Sequence, residues 1–106
     1  MSAFDQLQES WRVVEARFLG SRPMQRLAVG DIDARHYGAY LRETYFYTRE
    51  DPQIQAAATT YFRGTDREMV KHFLRHAMSE VGHDRMALDD LAALGFDTAS
   101  IPSENP

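Results

Sequence analysis

A carboxylate and an imidazole stand three residues apart at Glu80 and His83, inside the run His76-Ala-Met-Ser-Glu80-Val-Gly-His83-Asp84-Arg-Met-Ala-Leu88. On a helix this spacing places the two side chains about one turn apart on the same side. Helical bundles offer the same Glu-x-x-His pair to transition metals. Neutral imidazole and carboxylate together suit iron, manganese or zinc. The pair alone is a weak motif, because amphipathic helices also produce it by chance. Its alternative is a satisfied Glu–Arg or Glu–His contact.

The helix that carries the pair reads from Thr65-x-x-Glu68, a capping-box match, to Leu94, with Gly95 as its stop. Stepping about 100° per residue from His72, Met69, Val70, Phe73, Ala77, Val81, Ala87, Leu88, Leu91 and Leu94 share one sector. Arg67, Lys71, Arg75, Arg85 and Asp89 take the opposite one. Glu80 and Asp84 fall inside the apolar sector, with His76 and His83 at its edge. A carboxylate turned toward a core without a partner protonates or finds a cation. Glu80 therefore calls for a metal, an arginine or a neutral hydrogen-bonded state, and the imidazoles to either side favour the metal. Gly82 costs about 1 kcal/mol relative to alanine inside a helix. It either admits close approach of another helix or a ligand, or marks a bend. His72 reads as solvent-facing or as a group behind the ligands, and His36 as the rim of its own helix.

The elements that would position this pair are all helical. Ser2 and Asp5 match a capping box, after which Phe4, Leu7, Trp11, Val14 and Phe18 recur at 3-4 spacing. Gly20-Ser21-Arg22-Pro23 ends that helix, and Pro23 opens a short helical turn carrying Met24, Leu27 and Ala28. Asp33 is an N-cap for a helix over 34–49. On it Tyr37, Tyr40, Leu41, Thr44, Tyr45, Tyr47 and Thr48 share one aromatic, hydroxyl-rich arc, read either as core packing with polar tips or as the wall of a polar cavity. Glu43 lies beside that arc, as a group that swings in or as an exposed partner of Arg42 or Arg49. Asp51-Pro52 opens a short helix through Phe62, closed by Gly64. Residues 96–106 have turn chemistry, and no strand pattern or repeat occurs.

Composition narrows the function classes. A chain of 106 residues has room for one modest domain, residues 1–106. A net charge of −4 gives no nucleic-acid footprint, and the absence of cysteine excludes thiolate metal sites and a cysteine nucleophile. No apolar run reaches membrane-spanning length and no signal pattern opens the chain, so a cytoplasmic protein is expected.

The run Pro23-Met-Gln-Arg-Leu-Ala-Val-Gly30 followed by Tyr37-x-x-Tyr40-Leu41-x-Glu43-x-Tyr45-x-Tyr47 resembles the first helices of the haem-oxygenase-like superfamily. His76-x-x-x-Glu80-x-Gly82-His83-Asp84, followed by Leu88-x-Asp90-Leu91-x-x-Leu94-Gly95-x-Asp97, is similar to its iron-containing redox branch of di-iron oxidases and oxygenases. That branch is related to thiaminase-II and pyrroloquinoline-quinone synthase. The resemblance spans residues 15–102, and its second block is the more specific.

The resemblance implies an all-α helical bundle, the N-terminal half of a fold about twice this length. Completion would come from dimerisation or from a missing second half. It implies non-haem iron, in a di-iron centre, with Glu80 and His83 as its first ligands. His76, Asp84 and Glu43 would be supporting groups, and Tyr37, Tyr40, Tyr45 and Tyr47 would line a cavity for a small organic substrate. The activity implied is that of an oxidase or oxygenase. An iron-binding ferritin-like homo-oligomer and a non-catalytic helical interaction module are the alternatives. No histidine precedes His36, so the resemblance does not extend to the axial haem ligand of true haem oxygenases.

Overall fold

The computed structural model describes Met1–Pro106 and is all-α, without strands. Its helices are α1 (Ala3–Leu19), α2 (Arg22–Ala28), α3 (Ala34–Arg49), α4 (Asp51–Ala58), α5 (Arg67–Glu80) and α6 (His83–Ala93). Single 3-10 turns follow α4 at Thr59–Tyr61 and close the chain at Ile101–Ser103. The chain divides into two compact units, Met1–Asp33 and Ala34–Pro106. No helix is long and apolar enough to cross a membrane.

The first unit holds α1 and α2. The Ser2 hydroxyl accepts the Asp5 amide at 3.1 Å and the Asp5 carboxylate accepts the Ser2 amide at 2.8 Å, so the expected capping box is formed. These contacts, the Ser2 hydroxyl first, hold the Asp5 carboxyl below its ordinary range. Gly20 ends α1, and Pro23 sits in the first turn of α2, where its missing N–H costs nothing. Neither helix buries a residue.

The second unit is built on α3 against α6, with α4 against α5. Leu41, Tyr45 and Phe46 repeat at i, i+4 and i+5 on α3, and Ala87, Leu88 and Leu91 at i, i+1 and i+4 on α6. Each set forms a single apolar stripe. The two stripes meet, and Ile101 from the last 3-10 turn closes the cluster. Gly38, one turn before Leu41, lets a ring lie on the α3 backbone. A Cβ there would stand 2.6 Å from Phe96 Cε2. Arg42 Nη2 donates to Glu104 Oε2 at 2.6 Å while its guanidinium lies 4.7 Å from the Phe46 ring, which binds the final turn to α3. Arg42, and secondly Ser100, hold the Glu104 carboxyl below its usual range.

The expected single helix from Thr65 to Leu94 is two helices. The backbone leaves α5 through Val81 at φ −63°, ψ 119° and Gly82 at φ 100°, ψ −7°. Those angles are the two central positions of a type II turn, whose second position takes φ > 0 and so favours glycine. Gly82 therefore marks a bend and does not provide a close-packing surface, since nothing lies within 4 Å of where its Cβ would be. Val81, which the helical wheel placed in the apolar sector, falls in this turn and is 70% exposed, while Ala87, Leu88 and Leu91 of the same sector are buried. The N-terminal cap also differs. Asp66, not Thr65, is the N-cap of α5, and no side chain caps it, because the Asp66 carboxylate accepts the Arg63 amide at 3.1 Å.

Candidate functional site

The type II turn, not helical register, brings Glu80 and His83 together. As first and last residues of a four-residue turn they lie close by construction. His83 Nδ1 is 2.6 Å from Glu80 Oε2, and His76 Nε2, one turn back on α5, is 3.5 Å from Glu80 Oε1. The carboxylate is the sheltered member: its side chain is 18% exposed, against 45% for His83 and 54% for His76. No lysine or arginine lies within ion-pair distance of it, so the two imidazoles are its only basic neighbours. An ionised carboxylate only accepts, so the proton of this short contact belongs to His83 Nδ1. A metal ion held by both side chains would replace that shared proton, since carboxylate and imidazole bind metals in their deprotonated forms.

Glu80 and His83 sit on the rim of an open groove of about 370 Å³ between α3 and α6. Thr44, Tyr47 and Thr48 of α3 line one wall, Met86 and Asp90 of α6 the other, and Asp51 lies at the start of α4. Leu41 and Ala87 connect this lining to the core beneath. The Asp51 carboxylate accepts the Gln55 amide at 2.7 Å. Carboxylate, imidazole and phenol are the donor types of a non-haem metal site. In number the set is short: no group of three or more His, Asp or Glu side chains is placed to hold a metal ion. The residues fit such an ion in kind, and a single chain does not complete its coordination.

The other expected residues are dispersed. Of the four tyrosines, only Tyr47 lines this groove. Tyr45 is 4% exposed and belongs to the core, edge-on to Phe46 at 5.3 Å, while Tyr37 and Tyr40 stack on each other at 6.2 Å. A common tyrosine wall is not formed, because residues at i, i+3, i+8 and i+10 spread over more than one helix face. Glu43 is exposed and accepts from Arg42 Nη1 at 3.0 Å. Asp84 lines a separate groove of about 580 Å³ between α4 and α5, with Arg49, Met78 and Gly82. His72 meets the Phe73 ring at 5.9 Å.

Asp90 and Asp51 are groove residues to which sequence reasoning gave no part in the site. Asp90 had a signal, since His83, Ala87 and Asp90 stand at i, i+4 and i+7 on α6. Asp51 had none, because its role as a helix opener accounts for it. No family model, no curated protein and no solved structure matches this chain.

Proposed function

We propose that the chain binds a divalent transition metal, iron first, at Glu80 and His83 and serves as one half of a non-haem oxidoreductase acting on a small organic substrate. The observation behind this reading is a sheltered carboxylate whose only basic neighbours are two imidazoles, at the edge of an open groove. A bound iron would supply redox chemistry toward dioxygen. The chain's own residues hold and shelter: Glu80 and His83 would hold the ion, Leu41 and Ala87 exclude water from the groove floor, and Tyr47, Thr44 and Thr48 offer hydroxyls to a polar ligand. The remaining ligands would come from a second copy or a second half, as the resemblance to the haem-oxygenase-like redox branch implies.

The test is iron per chain in protein purified anaerobically with ferrous iron, repeated with Glu80→Ala and His83→Ala. Loss of iron in both variants is expected, and unchanged content in both rules the reading out. Completion by a second copy further requires metal to co-migrate with dimer, so a metal-loaded monomer excludes it.

A specific observation favours a second reading, a non-catalytic helical module. The 2.6 Å Glu80–His83 contact already satisfies the carboxylate and spans the turn between α5 and α6, which makes it a clasp in its own right. This reading predicts no metal uptake and a drop in stability of about 1 kcal/mol for His83→Ala.

A further inference from the structure

Among the helices longer than ten residues, α1 alone buries nothing. Its apolar residues Phe4, Leu7, Trp11, Val14 and Phe18 are 69%, 69%, 62%, 58% and 58% exposed. They advance in steps of three and four, a mean of 3.5, which is the narrow seam of a coiled coil and not the broader stripe of a helix set into a globular core. Toward its C-terminal end Trp11, Val14, Glu15, Phe18 and Leu19 surround a hollow of about 440 Å³. The seam is flanked by Ala3, Gln8 and Ser10 over its first half and by Glu15 and Arg17 over its second, while Asp5, Glu9 and Arg12 lie on the opposite side. The flanks thus carry one acid and one base and no block of like charge against the approach of another helix.

We infer that the seam is covered by α1 of a second copy of this chain. Knobs-into-holes packing needs a partner helix with the same 3.5-residue repeat, and α1 itself supplies one. Five apolar side chains, each more than half exposed, offer roughly 500 Å² per copy. Two copies then remove roughly 1,000 Å² from water, the lower bound of a specific interface. A helix of this length with no buried residue is marginal in water, so pairing also stabilises α1 itself. The result is a dimer of modest affinity, with dissociation in the micromolar range. The inference is independent of any metal at Glu80.

Trp11 is the only tryptophan of the chain, so its emission reports on this seam alone. Sedimentation velocity and tryptophan fluorescence of metal-free protein are measured together across the micromolar range. A mass that doubles with concentration, a blue shift in step with it, and loss of both in Val14→Glu are expected. Leu7→Ala, which preserves helix propensity, weakens the dimer about tenfold. Glu9→Ala, on the opposite side, leaves it unchanged. A single-chain mass at every concentration overturns the inference, whether Trp11 is shielded within that chain or open to solvent. So does a dimer that survives Val14→Glu with its emission unaltered, or one whose helicity is intact but is equally strong in Leu7→Ala.

Discussion

Helices α1 and α6 invert the usual relation between local and tertiary signals. α1 has seventeen residues, a complete capping box and an unbroken apolar stripe, yet none of its residues is buried. α6 has eleven, no side-chain cap and a start forced on it by a left-handed glycine, yet it supplies Ala87, Leu88 and Leu91 to the core. Regular local sequence makes a helix easy to foresee. What anchors a helix is a second surface with matching relief, and in this chain α3 provides it to α6.

The largest effect that separates them is expected in the α3–α6 core. Leu91 is 2% exposed, and Leu91→Ala should destabilise the second unit by about 2–5 kcal/mol in urea unfolding. Leu7, 69% exposed, should change the stability of the dilute monomer by less than about 0.5 kcal/mol on the same substitution. Equal losses at both positions would break the contrast. Next comes Gly38→Ala, whose Cβ would press on Phe96 Cε2 and Cζ at 2.6 and 2.7 Å. A loss of about 1–3 kcal/mol is expected, recovered in part by the double variant with Phe96→Leu.

Gly82→Ala isolates backbone strain from packing, because the added Cβ meets nothing while φ remains near 100°. A cost of about 1 kcal/mol is expected, together with a weakened Glu80–His83 contact visible in the imidazole NMR shifts. A variant as stable as the parent would show that the bend is not required.

The smallest effect is the cap of α1. Asp5 titrates below its ordinary value, so its contribution is fully present above about pH 4 and is lost as the pH falls through the lower folded value. Helicity by circular dichroism should therefore decline below about pH 4, and the part of that step belonging to α1 should vanish in Ser2→Ala and Asp5→Ala. A step unchanged in both variants would place the titration elsewhere.

The all-α class was readable from residue types because period and punctuation agree over most of the chain. Ser2 and Asp5, Pro23, Asp51-Pro52 and Gly95 all stand where a helix begins or ends. The break at Val81-Gly82 was half readable. The glycine announced a bend or a close approach, but continuous 3-4 spacing on both sides hid a two-residue turn. The Glu80–His83 contact was anticipated for the wrong geometric reason. The tyrosine wall was not readable, because which face of α3 meets α6 depends on Leu41, Phe46 and Gly38 together, and Tyr45 goes inward with them.

The two-residue joint after Glu80 also makes α6 a lever. Eleven residues at about 1.5 Å each give an arm of about 16 Å, pivoting beside the His83 imidazole. A rotation of about 10° at the pivot would swing the far end of that arm by about 3 Å. Leu91, packed in the same cluster as Ile101, holds the far part of that arm in the core, so the angle at the turn is set by the packing of α6 on α3.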